Sequence, residues 1–389
     1  MATERGTSLM KRLLCLFASL MLLCAPAFAE STDSLDDAVR KIFKVQKTVG
    51  GTVLVAKDGE IVYQLNYGYQ NARKQLRVTD GTHFRIASVT KMVSAIRVMQ
   101  LVEEGKLSLD APLGDALGYT VYNPYYKSLP VTLRMVMSHT TSVKSSGGYG
   151  KRGQGVQSLL ASGNKGNYYN EKPGSTYRYS NFGAGLMGSL IEQVTGKNVN
   201  DAVTEGIFAP LQMDAAYHAS LIADRESITN TYDTNRGLWM TAGKSIDSNW
   251  DASVNPDKHY MITVGSLWMT GRDLCRLGIA LCDGGAVDGV RLLQPETVAE
   301  MLASQQGKGG VTANTPYGLC INRNDTLVEG KMLYGHQGMS GGIVANVYFD
   351  PESRFVFTLI TNGCNNKMDN HVCGIARKLL TVLWNEYGE

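Results

Sequence analysis

Residues 51–65 read GTVLVAKDGEIVYQL, two runs rich in β-branched and aromatic residues that flank Asp58-Gly59. Asp-Gly accepts the left-handed backbone that a two-residue type I′ turn requires at both central positions, so the stretch predicts a β-hairpin near the start of the chain. A second hairpin is predicted far downstream, where the apolar runs Gly341–Phe349 and Arg354–Thr361 are joined by Asp350-Pro351-Glu352-Ser353, with further strand character near Leu333. The last element, His371–Asn385, carries Val372, Ile375, Leu379 and Leu383 on one face and predicts a helix able to pack on a sheet. Ser34-Leu35-Asp36-Asp37 opens a short amphipathic helix ahead of the first hairpin. Between the hairpins the chain reads as helices and loops. The expected fold is therefore α+β: an antiparallel sheet built from the N- and C-terminal segments and flanked by helices, with an inserted all-α region.

Lys11 and Arg12 precede an apolar run, Leu13–Cys24, that ends in Ala27-Phe28-Ala29. This is the pattern of a secretory signal peptide cut before Glu30, and the run is too short to serve as a comfortable membrane span. An exported product, periplasmic or extracellular and without a stable membrane anchor, is expected. The expected division is 1–29 as signal, 30–80 and 255–389 as the sheet region, and 81–254 as the helical region, together one catalytic domain. Hydrophobic content of 43% with 42 glycines describes a globular, loop-rich chain. The formal net charge is +3, and Arg5, Lys11 and Arg12 against Glu4 fall inside the signal segment, so the remainder is close to neutral and gives no electrostatic case for nucleic acid.

Five cysteines lie beyond the signal segment. Cys275 and Cys282, seven apart in a helical pattern, are too distant along an axis to bridge and read as core. Cys364 and Cys373 flank a polar loop and could close a disulfide; Cys320 completes the odd set. No cysteine has zinc-ligand spacing, the six histidines do not cluster with them, and no cofactor is implied.

Three segments carry chemistry. In Phe84-Arg85-Ile86-Ala87-Ser88-Val89-Thr90-Lys91, Ser88 and Lys91 sit on one face at the start of a helix whose residues are apolar around most of its circumference. Burial disfavours the charged lysine and moves it toward a usable base, while the first N–H groups of the helix favour negative charge beside Ser88. In Tyr177-Arg178-Tyr179-Ser180-Asn181, the last residues lead into a second apolar helix ending at Gly196. A phenol bonded to Lys91 can relay a proton to a leaving group, and Asn181 can orient Lys91 and a substrate amide. In Tyr334-Gly335-His336-Gln337-Gly338-Met339-Ser340, beside a predicted strand, Gly338 and its neighbours let a substrate backbone approach, and an inward N–H can complete an oxyanion hole.

In order and spacing these segments resemble the S-x-x-K, Y-x-N and K-T-G set of the serine β-lactamase and penicillin-binding-protein superfamily, and within it the class C β-lactamase, DD-peptidase and esterase branch. The resemblance runs from about 35 to 385 and includes Val131–Ser142, Lys172-Pro173-Gly174, Gly265–Leu274 and Tyr317-Gly318-Leu319. It implies a β-lactamase/transpeptidase-like fold. It also implies Ser88 as nucleophile, Lys91 as its activator, Tyr179 as general base and acid, and Asn181 as orienter, with the backbone N–H groups of Ser88 and Met339 as the oxyanion hole. His336 takes the place of the K-T-G lysine, and being largely neutral it offers a substrate carboxylate less charge. Gln337 replaces the usual hydroxyl residue and narrows the cleft. The segment His139–Val143 lacks the glycine common after its serine, and His139 is read as structural. Arg323 and Arg272 are candidate partners for a terminal carboxylate. The expected substrate is a small molecule or peptide, foremost a D-Ala-D-Ala or other D-amino-acid peptide of peptidoglycan. An ester hydrolase or weak β-lactamase is the alternative, and a penicillin-binding sensor or scaffold without turnover is the reading from another class.

Overall fold

The computed structural model describes residues 29–145, 155–160, 163–233, 237–305, 307–312 and 315–389. Residues 1–28 of the expected signal segment, and half of the Gly/Ser-rich stretch from Ser145 to Gly166, lie outside the described residues. The chain divides into Met1–Lys41 and Ile42–Glu389. Of the first unit, the described part belongs to helix α1 (Ala29–Val45). The second unit holds every segment singled out for chemistry.

The Asp58-Gly59 hairpin forms as read. Strands β1 (Gly50–Lys57) and β2 (Glu60–Asn71) pair antiparallel, and Asp58 (φ 52°) and Gly59 (φ 86°) both take the left-handed conformation of a type I′ turn. They join β3 (Leu76–Arg77), β4 (Asn322–Asn324), β5 (Leu333–Ser340), β6 (Ile343–Asp350) and β7 (Phe355–Thr361) in one seven-stranded antiparallel sheet of order β4-β5-β6-β7-β1-β2-β3. The N-terminal hairpin thus pairs directly with the last strand, Gly51 opposite Thr361 and Lys57 opposite Phe355.

β6 and β7 are buried at every position because helices cover both faces. On one face α4 (Gly271–Cys282) lies so close that a Cβ on Gly278 would sit 2.7 Å from a Val356 methyl and 2.8 Å from a Val347 methyl. On the other, Phe355 meets Trp384 of α5 (Gly374–Tyr387) edge to face at 4.7 Å. Neighbours on a strand point oppositely, so Phe355 and Val356 serve different helices. Cys275 and Cys282 are buried in α4, as core residues should be. Cys364 and Cys373 are both free thiols, so the bridge considered for them does not form; the Cys364 sulfur instead accepts from Thr361 Oγ1 at 3.4 Å. The final helix begins three residues later than the sequence suggests. Met368-Asp369 pairs with Val372-Cys373, and Asn370 (φ 43°) and His371 (φ 71°) make the tight turn between them.

The segment between the sheet's two halves is mainly helical, with α2 (Val89–Glu103) and α3 (Asn181–Thr195) at its centre. Among the described residues four short ladders interrupt it: Phe84–Arg85 with Trp268–Met269, Thr231–Asp233 with Gly237–Met240, Ala286–Val287 with Val290–Arg291, and Gly310–Thr312 with Thr315–Pro316. α2 is buried on almost every side, from Val89 to Met99 and again at Leu101. Among the described residues no helix is long and apolar enough to cross a membrane.

Candidate active site

Ser88 caps the start of α2 after a strained turn, for Ala87 holds φ 46°, a left-handed backbone uncommon for a non-glycine residue. The turn is strapped to the segment before α4: Ile86 N–H donates to Leu267 O at 3.0 Å, and Arg85 Nε to Gly265 O at 2.7 Å. The N–H groups of Val89, Thr90 and Lys91 bond back to the carbonyls of Ile86, Ala87 and Ser88, which leaves the Ser88 N–H ahead of that series at the mouth of the helix.

Lys91 is fully buried, and its Nζ has two oxygen partners, Ser88 Oγ at 3.1 Å and the Val264 carbonyl at 2.8 Å. Removal from water pushes its pKa from the ordinary 10.5 down to about 7. The Val264 carbonyl takes one amine hydrogen and so aims the nitrogen lone pair of the neutral form toward Ser88. Asn181, the residue expected to orient Lys91, has no hydrogen bond to it, and the carbonyl 173 residues along the chain does that work.

Tyr179 lies across from Ser88. The residue is 43% exposed along the cleft wall, but its hydroxyl end is enclosed and hydrogen-bonds the Ser88 side chain. Burial pushes the phenol up to about 12, with the Ser88 bond partly opposing the rise. Lys91 Nζ sits over the Tyr179 ring, 5.2 Å from its centroid, rather than against the hydroxyl. The expected Lys91–Tyr179 hydrogen bond is therefore replaced by a star in which both residues address Ser88.

β5 closes the opposite side. A Cβ on Gly338 would come within 2.5 Å of Ile86 O, 2.8 Å of Ser88 N and 3.1 Å of Ala87 Cβ, so only glycine lets this strand pass the Ser88 turn. Replacing Gly338 with alanine must move β5 or the turn, and acylation of Ser88 is expected to slow by about 10²-fold while the far-ultraviolet spectrum is retained. A pre-steady-state measurement of acyl-enzyme formation checks it. Beyond the two-residue turn at Gly341-Gly342, Ser340 pairs with Ile343 and Gly338 with Ala345. Alternate residues of an antiparallel strand turn their backbone groups away from the partner, which aims those of Met339 and Gln337 at the open edge beside Ser88.

His336 is 2% exposed, donates from Nδ1 to the Gln337 carbonyl at 2.7 Å, and is pushed down to about 3 by burial and by Lys91 nearby. It is neutral, as its replacement of a lysine implied. Gln337 Nε2 donates to His371 O at 2.7 Å and so draws the turn at Asn370–His371 onto the cleft. Neither candidate arginine lines the cleft: Arg272 faces Asp80 at 3.3 Å, and Arg323 bonds Pro316 O and lines a separate cavity with Tyr334 and Asp350.

Ser88, Tyr179, Asn181, His336, Gln337 and Met339 line one cleft of about 450 Å³, joined by Tyr177, Asn322, Met368 and His371. Sequence reasoning gave none of these four a role: Tyr177 stands in the Tyr179 segment without one, and Asn322, Met368 and His371 come from segments with no motif of their own. Three buried polar atoms of the lining have no protein partner: Asn181 Oδ1, His336 Nε2 and Gln337 Oε1. Such atoms in a cleft are sockets for the polar groups of a ligand.

A family model described as Beta-lactamase matches residues 35–381. Penicillin-binding protein 4 of Amycolatopsis lactamdurans is 26% identical over 342 residues, 87% of this chain and 84% of that protein. Protein flp of Staphylococcus aureus (strain MW2) is 24% identical over 260 residues, 59% of this chain, which spans about half the length of that relative. Among solved structures, D-amino acid amidase from Ochrobactrum anthropi SV3 shares the fold with a TM-score of 0.68 and 23% identity, over 91% of this chain and 99% of that one.

Proposed function

The chain belongs to the Beta-lactamase family and is a serine hydrolase, and from that footing we propose that it cleaves D-amino-acid peptides or amides through an acyl-enzyme on Ser88. One observation carries the chemistry: a fully buried lysine amine, brought near neutral pKa, 3.1 Å from the serine hydroxyl. Neutral Lys91 takes the Ser88 proton as Oγ attacks the substrate carbonyl. The N–H groups of Ser88 and Met339 receive the developing oxyanion. Tyr179, a neutral phenol at working pH because its pKa stands at about 12, gives its proton to the leaving nitrogen and recovers one from Lys91 through water that enters as the leaving group departs. Water then attacks the ester carbonyl, and its proton returns along the same groups as Ser88 is released. Lys91 is thus the resting base and Tyr179 the acid, a sharper division than a tyrosine serving as both.

The substrate class is supported by Asn181 Oδ1, an orphaned acceptor in the cleft that suits an amide N–H, and by the open edge of β5, on which a peptide can lie as an added strand. The relative named as a penicillin-binding protein and the amidase of like fold fit this reading. Neutral His336 weighs against efficient turnover of penicillins, whose carboxylate gains most from a cation. The export expected from residues 1–29 would place the enzyme beside peptidoglycan.

The test is an intact-mass time course with D- and L-amino-acid amides, a D-Ala-D-Ala peptide, short-chain esters and a penicillin. Turnover of D-amides or D-peptides with a transient Ser88 adduct supports the proposal. Hydrolysis of esters alone replaces it with an esterase, and a penicillin adduct that persists without turnover of any substrate replaces it with a sensor. The rate of acylation should rise with pH through about 7, because protonated Lys91 cannot accept the Ser88 proton. A flat profile between pH 5 and 9 counts against Lys91 as base.

A further inference from the structure

His139, read from sequence as a structural residue, is 1% exposed and does not itself line the cleft. Its contacts converge on Tyr179. The His139 carbonyl accepts the Arg178 N–H at 2.8 Å, and its Nδ1 accepts the Ser180 N–H at 3.3 Å, so the backbone is gripped on both sides of the tyrosine. The ring packs on the Tyr179 ring itself, with centroids 4.3 Å apart. One residue can present its carbonyl and its imidazole to the same loop because His139 holds φ 57°, a left-handed conformation that histidine adopts more readily than most side chains. Tyr317 and Tyr177 back the ring at 5.2 and 5.9 Å. Burial and the nearby Lys91 keep the imidazole neutral, which leaves the Nδ1 lone pair free to accept.

We propose that His139 is the positioning residue of the reaction, a clamp that holds the Tyr179 hydroxyl on Ser88 through the amides at 178 and 180. The proposal rests on the reading of Tyr179 as the catalytic acid. Asparagine and leucine are alike in shape at position 139, and asparagine both tolerates the left-handed backbone and places an acceptor oxygen where Nδ1 stood. His139→Leu should therefore lower kcat by about 10- to 100-fold with KM within about twofold, the loss expected of a misplaced catalytic group. His139→Asn should stay within about fivefold of the wild type. In a Tyr179→Phe background, His139→Leu should cost nothing further, since the two act as a unit.

Thermal melting of each variant controls for folding. Should His139→Leu not accumulate, His139→Gln takes its place, because its longer amide cannot put an acceptor at the Nδ1 position. Equal kcat for the asparagine and leucine (or glutamine) variants, or a further loss on the Tyr179→Phe background, overturns the clamp. Full activity of Tyr179→Phe alone instead overturns the reading of Tyr179 on which the clamp rests, so the two failures are told apart.

Discussion

Ser88→Ala leaves the fold intact and removes turnover by at least about 10⁴-fold on every acyl substrate the wild type accepts, with no covalent adduct in the mass spectrum. The magnitude reflects what remains. Lys91 and Tyr179 both address the Ser88 side chain, and among the described residues the Lys91 amine hydrogen-bonds otherwise only the Val264 carbonyl, so no second nucleophile stands there to be activated. The Ser88 N–H survives the substitution and can still polarise a carbonyl, so residual hydrolysis by water sets the floor rather than zero. Full turnover in Ser88→Ala would remove the acyl-enzyme altogether.

Lys91→Met produces the second large effect, and it acts in two opposite directions. Acylation falls by about 10³- to 10⁴-fold, because the base is gone and the Tyr179 phenol, at about 12, does not replace it near neutral pH. Stability rises. The lysine pKa is about 7 in the fold against an ordinary 10.5, so between those values the unfolded chain holds a proton that the folded one lacks. Folding is therefore penalised at pH 7 and below, and stability contributed by this group increases as pH climbs from about 7 to 10.5. Methionine removes the penalty, at the cost of the bond to the Val264 carbonyl, and the melting temperature at pH 7 should increase by several degrees. The gain should shrink steadily as pH climbs from about 7 and vanish above about 10.5, where the unfolded lysine also loses its proton. A variant less stable than wild type at pH 7 would mean that the lysine sits charged and paired in the fold.

Much of this architecture is legible in local sequence because its determinants are local. Asp58-Gly59 alone specifies the I′ turn, and the continuous apolar runs of β6 and β7 announce a strand covered on both faces. Ser88 and Lys91 are three residues apart on one helix, so their meeting needs no tertiary information. What escaped the sequence depends on distant pairs. Val264 aims Lys91 from 173 residues away, and His139 grips the Tyr179 loop from 41 residues away. The arginines failed as candidates for the same reason: Arg272 is claimed by Asp80, a partner no periodicity reveals. The turn at Asn370–His371 went unread because neither residue is a glycine, although both take positive φ.

The pairing of Gly51 with Thr361 has a consequence for how the protein comes into being. β1 sits between β2 and β7, and it meets β7 only after roughly 300 further residues have been made, a closure of high contact order that slows folding. Until β7 emerges, β1 offers bare N–H and C=O groups to any passing strand, and the helices around α2 have no floor to settle on. A nascent chain stays vulnerable to aggregation until β7 has been made. The site is completed late as well, for Gly338 and its strand are made 250 residues after Ser88. Activity should accordingly appear only once β5 to β7 have been made, with no active species truncated ahead of them.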